Sequence, residues 1–311
     1  MSERTTPDAS ANAPRSAADQ PPQAAPGAVG PAAALTCPVC PHACVLREGK
    51  LGLCGARSLK GGAVVSLNYG QATALALDPI EKKPLARFYP GALILSYGSY
   101  GCNLRCDFCQ NADISTATAT VHPALRPTTP AELVAQADAL RSEGNIGVAF
   151  TYNEPLIAPE FLIESAQLAH ERDLLTVAVT NGYATEQTWE QCLACLDAVN
   201  IDLKCFTEEG YRRLGAPEGL TVVKRSIQRA LKAGVHVEVT TLVVPGLSDD
   251  PIAFEREVEW LAELDPETCL HLSRFFPRYK MARSFPTELS ALRAFEEVAH
   301  KRLSHVYLGN I

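Results

Sequence analysis

Three cysteines, Cys102, Cys106 and Cys109, constrain this chain more than any other feature of its sequence. They follow a Cys-x3-Cys-x2-Cys spacing in a short polar loop that begins with glycine. Thiolates are soft ligands that suit iron–sulfur clusters and zinc. Three of them leave one position of a cubane cluster or a tetrahedral metal without a protein ligand, and catalytic metal sites keep such an open position. The triad predicts a catalytic metal centre. A structural zinc site would need a fourth ligand, and the nearest candidate, His122, is remote in sequence.

Composition and charge exclude several classes of partner. The chain has 311 residues, of which 47% are hydrophobic, so it can bury a full core. A net charge of −7 gives no reason to expect a nucleic-acid backbone as partner. No apolar run is long enough to cross a bilayer. Eleven cysteines without an export signal indicate a reducing, cytoplasmic compartment, where cysteine clusters are metal sites more often than disulfides. A secreted disulfide protein is the alternative.

The chain divides into three predicted parts. Residues 1–34 are rich in Ala and Pro and cannot bury enough apolar surface to order, so we expect a disordered tail. Residues 35–90 form a cysteine-rich module followed by a β-rich lead-in, with candidate strands at Val64–Asn68 and Thr73–Leu77. From residue 91 to residue 311, apolar runs alternate with amphipathic helices.

This alternation is typical of parallel βαβ units. Thr129 and Glu132 form a capping box, with proline at the first helical position, ahead of an apolar stripe at helical spacing. Six βα units and a possible further strand at His305–Leu308 predict a partial (β/α)6 barrel. The strands are expected at Leu93–Tyr97, Gly147–Thr151, Leu174–Thr180, Val199–Lys204, Val235–Val244 and Cys269–Phe275, and the helices at Thr129–Leu140, Glu160–Arg172, Glu186–Leu196, Val222–Ala233, Ile252–Leu264 and Glu288–Leu303.

Polar residues recur directly after these strands. In such barrels the chemistry lies at the C-terminal ends of the strands, so these residues should line one mouth. A purely structural barrel has no need of this concentration. After the first strand come the three cysteines, and later strand ends carry Glu154, Asn181, Asp202 with Lys204, and His271 in the segment His271–Pro277.

The cysteine loop and the strand that feeds it resemble the radical S-adenosylmethionine (SAM) superfamily. Several motifs resemble more narrowly the glycyl-radical-enzyme activases of the pyruvate formate-lyase activating type. Companion segments resemble one branch, the radical SAM enzyme of the AmmeMemoRadiSam system. The activase-like motifs are Cys102–Gln110, Tyr152–Pro155, Thr180–Gly182, Asp202–Lys204 and Val244–Asp249, and the companion segments are Cys37–Cys44, Asp78–Pro84, His271–Pro277 and Val306–Asn310.

This resemblance implies a radical SAM barrel with a [4Fe–4S] cluster and SAM as cofactors. The three cysteines would hold three irons, and SAM would chelate the fourth. Phe108 would offer an aromatic face to the adenine, and Glu154 would accept a hydrogen bond from the SAM amino group. Tyr152 and Asn153 replace two glycines of the superfamily motif. The resemblance also makes Asn181, Asp202, Lys204 and His271 cofactor-binding candidates, with Asn181 toward the ribose or sulfonium and Lys204 toward the SAM carboxylate.

Four of these side chains also have a simpler interpretation. Glu154 could be an exposed helix N-cap. Asp202 and Lys204 could form a surface ion pair, and His271 could be a satisfied core histidine. Cys192 and Cys195 on a predicted helix are interpreted as small buried hydrophobes.

A second cysteine set predicts a second metal site. Cys37, Cys40, Cys44 and Cys54 supply four thiols among turn-favouring residues. Closure by four thiolates fits structural zinc or an auxiliary iron–sulfur cluster. His42 could replace one ligand, and unligated thiols in a small loop module are the alternative.

The resemblance therefore implies an enzyme that reductively cleaves SAM to a 5′-deoxyadenosyl radical, which abstracts hydrogen from an unidentified substrate, a protein among the candidates. A one-electron donor such as flavodoxin or ferredoxin is implied, and Memo-type and Ammecr-type proteins are candidate partners. The alternatives are a glycyl-radical-enzyme activating enzyme and, in another class, a non-catalytic zinc-binding module.

Overall fold

The computed structural model describes residues 34–311, and the predicted tail lies outside these residues apart from Ala34, the first residue of β1. Short antiparallel pairs come first: β1 with β2, and β3 with β4. β5 pairs with β8, which comes later in the chain, and β6 follows β5 directly. These strands are β1 (Ala34–Thr36), β2 (Val45–Arg47), β3 (Arg57–Lys60), β4 (Ala63–Ser66), β5 (Gln71–Ala72), β6 (Ala74–Pro79) and β8 (Arg126–Pro127).

One sheet of eight strands organises the rest of the described chain, in the order β14-β13-β12-β11-β10-β9-β7-β6. All neighbouring pairs are parallel except β6 with β7. β6 and β14 each pair with a single strand, so the barrel is partial, as predicted. The remaining strands are β7 (Leu93–Gly98), β9 (Asn145–Phe150), β10 (Leu175–Thr180), β11 (Ala198–Asp202), β12 (His236–Val243), β13 (Cys269–Arg274) and β14 (His305–Gly309).

Helices cover the outer face of this sheet. The predicted capping box is present, because the Thr129 side chain accepts from the Glu132 backbone and Glu132 accepts from that of Thr129. Leu133, Val134 and Ala137 bury the predicted apolar stripe. The helices are α1 (Ala112–Ser115), α2 (Pro130–Ala139), α3 (Pro159–His170), α4 (Glu186–Leu193), α5 (Glu208–Arg213), α6 (Gly219–Ala233), α7 (Pro251–Leu264) and α8 (Leu289–Ala299).

The segment after β6 crosses the inner face of the sheet. Asn200 donates to the Pro84 carbonyl at 2.7 Å. Glu238, fully buried on β12, accepts from the backbone N–H groups of Ala86 (2.9 Å) and Arg87 (2.8 Å). Buried polar groups need such partners. These contacts fix residues 80–87 across the interior, beneath the C-terminal ends of the strands.

No helix among the described residues has the length and apolar character needed to cross a membrane.

Candidate functional site: a three-thiol cavity at the strand ends

The loop between β7 and α1 places the three cysteines of the triad around one cavity of about 360 Å³. This volume is within the range of roughly 300–1,000 Å³ usual for cofactor sites. Eight of the nine predicted catalytic and cofactor-binding residues line the cavity: Cys102, Cys106, Cys109, Phe108, Glu154, Asn181, Asp202 and Lys204. The carboxyl ends of neighbouring parallel strands have brought them together.

The chemistry of this donor set fits a metal cluster. The three cysteines form no disulfide. Burial raises the pKa of the Cys106 thiol to about 12, although nearby Lys204 lowers it. Burial likewise raises the pKa of Cys102 well above its ordinary value. Thiolates at such positions need a compensating cation, and metal binding supplies it. His122, the suggested fourth zinc ligand, stacks on Tyr100 and does not line the cavity.

Glu154 lies four residues after the end of β9 and caps a short 3-10 helix, Pro155–Ile157. Its carboxylate is buried and accepts three hydrogen bonds, from Thr180 Oγ1 (2.7 Å), Leu156 N (2.9 Å) and Asn181 N (2.8 Å). Burial raises its pKa to about 7, against the lowering effect of these donors. Glu154 is therefore an N-cap, but a buried one that lines the cavity, unlike the exposed cap considered above.

Asn181 links this carboxylate to the thiol loop. Its side-chain amide donates to Asn103 Oδ1 at 2.9 Å and lies 3.8 Å from the sulfur of Cys102. Asn103 in turn donates to the Tyr183 carbonyl at 2.7 Å. Asn103 is buried, so these bonds hold the loop in one position relative to β10.

Asp202 and Lys204 supply opposite charges at the end of β11. Lys204 Nζ lies 2.7 Å from Asp202 Oδ2, and the side chains are 18% and 29% exposed, respectively. Burial disfavours the charged lysine, but Asp202 and Cys106 outweigh it and raise the pKa of Lys204. The two residues form an ion pair on the cavity wall, where the charged ammonium can meet an anionic group.

Sequence reasoning missed a polar network behind Tyr152. Tyr152 has φ 72°, in the left-handed region that favours glycine, which is the residue type that the superfamily motif carries there. Its hydroxyl donates to Asp78 Oδ2 at 2.6 Å, and Lys83 Nζ lies 2.9 Å from the same carboxylate and 4.8 Å from the ring centroid. Burial favours a neutral Asp78, but the Tyr152 and Lys83 hydrogen bonds lower its pKa.

This network explains why the Asp78–Pro84 segment carries its charges. Lys82, Lys83 and Pro84 all line the cavity, so the lead-in contributes one of its walls. Gly98 is needed beside it, because a Cβ there would lie 2.7 Å from the Tyr152 ring. The signal in the sequence was the charged segment itself, but nothing in it showed which side chains meet.

The structure does not bring His271 to the cavity. His271 Nε2 lies 2.6 Å from Glu238 Oε2 and 3.6 Å from Cys269 Sγ, in the barrel interior. Ser273, two residues later on the same face of β13, does line the cavity. His271 therefore lies deeper in the barrel interior than the cavity does, and its contacts are those of a core histidine.

The cysteine-rich module contacts the thiol loop directly. His42 Nε2 lies 2.8 Å from the Asn103 carbonyl oxygen, and the Arg105 guanidinium donates to the Leu53 carbonyl. Gly101 has φ 87°, and a Cβ there would lie 2.5 Å from the Cys54 carbonyl oxygen. Loop and module are thus in backbone contact. Cys192 and Cys195 are buried away from the cavity, in agreement with their interpretation as small hydrophobes.

Parallel βα units around a three-thiol cavity define the radical SAM class of enzyme, and the chain belongs to the Radical SAM superfamily, whose family description matches residues 96–256. The family implies a [4Fe–4S] cluster and SAM, and the donor set described above fits both.

Two relatives and one solved structure are similar to this chain. An uncharacterized protein of Methanocaldococcus jannaschii is 36% identical over 284 residues, 89% of this chain and 81% of the relative. The pyruvate formate-lyase-activating enzyme of Clostridium pasteurianum is 32% identical over 158 residues, 48% of this chain and 61% of that enzyme. A radical SAM methyltransferase from Sphaerobacter thermophilus has the same fold, with a TM-score of 0.53 at 16% identity over 71% of this chain and 67% of that one.

Proposed function

We propose that this protein binds SAM at a [4Fe–4S] cluster held by Cys102, Cys106 and Cys109, and that it uses SAM to abstract hydrogen from a substrate. The observation that carries the proposal is the convergence of three thiols, a buried carboxylate and a charged lysine on one cavity.

When bound, the cluster and SAM supply the reductive cleavage that yields a 5′-deoxyadenosyl radical, with an electron from an external donor such as flavodoxin or ferredoxin. The protein supplies binding, orientation and exclusion of water. Glu154 would accept a hydrogen bond from the SAM amino group, and Lys204 would pair with the SAM carboxylate. Phe108, 5% exposed at the cavity, offers an apolar face to the adenine. Asn181 holds the thiol loop through Asn103 and reaches toward the ribose or sulfonium.

Anaerobic reconstitution followed by an assay for 5′-deoxyadenosine tests the proposal. The wild-type protein should form it with dithionite as reductant, and Cys106→Ala should form none. Cys195→Ala is the matched control, because it removes a buried thiol that does not line the cavity, and it should keep wild-type activity. Wild-type yield from Cys106→Ala would contradict the assignment, and a colourless zinc protein would favour the non-catalytic binding module.

The AmmeMemoRadiSam enzyme is the narrower function we propose. Its support is that three of the four companion segments contribute cavity-lining residues: Lys83 from Asp78–Pro84, Ser273 from His271–Pro277 and Asn310 from Val306–Asn310. Memo-type and Ammecr-type proteins are the proposed partners. Co-purification with them, and dependence of hydrogen abstraction on either one, tests this step.

A glycyl-radical activase is the second candidate. The name of the Clostridium pasteurianum relative favours it, although the match spans only part of that enzyme. An activase would generate a stable radical signal on a large partner protein, detectable by electron paramagnetic resonance. A radical signal that stays on small products would count against it.

Division of the chain into a module at 35–90 and a barrel at 91–311 remains part of the proposal. Within that division, β6 forms the antiparallel edge strand of the barrel sheet.

A further inference from the structure

Four cysteines of the N-terminal module surround a second, smaller cavity. Cys37 directly follows β1 and Cys44 directly precedes β2, and the backbone N–H of Cys37 donates to the Cys44 carbonyl at 2.9 Å. Cys40 lies in the turn between them, and Cys54 comes from the next loop. All four thiols are free and line one cavity of about 10 Å³, with His42, Arg57 and Ile157 among its other walls.

The spacing of these sulfur atoms is too wide for a single zinc ion. Zinc binds four thiolates at about 2.3 Å in a tetrahedron, which places the sulfurs about 3.8 Å apart. Among residues 34–311, Glu238, Cys269 and His271 are the one group whose three ligand atoms all lie within 4.8 Å of one another. No three of the module's sulfurs meet this limit. The sulfurs of Cys102, Cys106 and Cys109 do not all lie within 4.8 Å of one another either. These three cysteines are the ones for which the family implies a cubane [4Fe–4S] cluster.

The cavity itself supports the same conclusion. About 10 Å³ is roughly the space for the centre of one water-sized sphere. Four sulfurs gathered around one zinc ion would leave no such space, whereas the larger inorganic core of a cluster holds its cysteine sulfurs apart.

Two donors around the cavity suit a cluster of negative charge. Arg57 is 3% exposed and lines the cavity, and its Nε has no hydrogen-bond partner. A buried donor of this kind normally has one. The Leu53 backbone N–H donates to Cys44 Sγ at 3.4 Å. Hydrogen bonds to the sulfurs are among the features that tune iron–sulfur clusters.

We infer that Cys37, Cys40, Cys44 and Cys54 hold a second iron–sulfur cluster, distinct from the SAM-binding one. Protein thiolates ligate this cluster on every side, so no iron keeps an open position. Each thiol gives up a proton, and each sulfur bonds to an iron of a core assembled from iron and sulfide. The orphaned Arg57 Nε–H then faces the anionic cluster. His42 is not needed as a ligand, since its Nε2 is committed to the Asn103 carbonyl and four thiols complete the set.

Iron, acid-labile sulfide and zinc content per chain test this inference on the full-length protein after anaerobic reconstitution. The triple variant Cys102→Ala/Cys106→Ala/Cys109→Ala should keep about four irons, or about two for a binuclear cluster, beside the matching sulfide. Its electron paramagnetic resonance signal should be unchanged by SAM, because no iron is open. Cys40→Ala should lose this second complement, and Cys195→Ala should keep the full content of wild type.

Absence of iron from the triple variant would overturn the inference, and so would one zinc per chain that disappears in Cys40→Ala. If Cys40→Ala does not fold, the triple variant still decides the matter, because its module is intact. The test is independent of the proposed function: a protein that cleaves SAM but carries zinc in the module would refute the second cluster alone.

Discussion

Replacement of Glu154 by glutamine isolates the charge of the carboxylate at nearly constant shape. Glu154 accepts from Thr180 and Leu156 on one oxygen and from Asn181 N on the other. In either orientation, the NH₂ of a glutamine must face at least one of these donors. The variant therefore loses a buried hydrogen bond as well as the negative charge at the cavity wall.

The expected effect follows from the strength of a charge-assisted hydrogen bond. Such a bond contributes about 1.5–3 kcal/mol. At about 1.4 kcal/mol per factor of ten, SAM affinity should fall about 10- to 150-fold. Because burial raises the pKa of Glu154 to about 7, the comparison belongs at about pH 8, where the carboxylate is ionised.

Calorimetric titration of SAM into the reconstituted variants measures this loss, with iron content recorded in parallel. Glu154 is not a cluster ligand, so the iron content of Glu154→Gln should match wild type. Glu257→Gln is the matched control, because Glu257 is equally buried and binds Thr241 away from the cavity. It should leave SAM affinity unchanged. Wild-type affinity in Glu154→Gln would refute our account of this carboxylate.

Two further predictions concern stability. Gly101→Ala should lower the free energy of unfolding more than Gly144→Ala, which has φ 96° but no atom within 4 Å of the added Cβ. The difference, about 1–3 kcal/mol, measures the overpacking against the Cys54 carbonyl, and equal losses in denaturant titrations would contradict the contact. Burial raises the pKa of Glu257 from 4.5 to about 8, so its contribution to stability is complete below about pH 4.5 and is lost as pH rises to about 8. Glu257→Gln should remove that part of the pH dependence, and an unchanged profile would count against it.

Much of the fold could be predicted from local patterns. Parallel strands buried on both faces appear as continuous apolar runs, as at Leu175–Thr180, and the Thr129 capping box marked where a helix begins. The site residues could then be predicted from the strand ends, because side chains that directly follow parallel strands meet at one edge of the sheet.

Depth along a strand could not be predicted in the same way. The two-residue alternation gives the face on which a side chain lies, but His271 and Ser273 share that face and only Ser273 reaches the cavity. Register does not give the depth either, because His271 pairs with Thr240 and Ser273 with Leu242, and both of these β12 residues line the cavity. Long-range partners were also hidden: Glu238 binds the backbone at Ala86 and Arg87, over 150 residues earlier in the chain.

The backbone contact between Gly101 and the Cys54 carbonyl also orders the events of biosynthesis. Chains leave the ribosome from the N-terminus at about 5–20 residues per second, so the thiols of the module emerge several seconds before those of the loop. The carbonyl surface of Cys54 is then already available when Gly101 is synthesised. We therefore expect the loop to reach its final shape only against a folded module, because Gly101 packs directly on the Cys54 backbone.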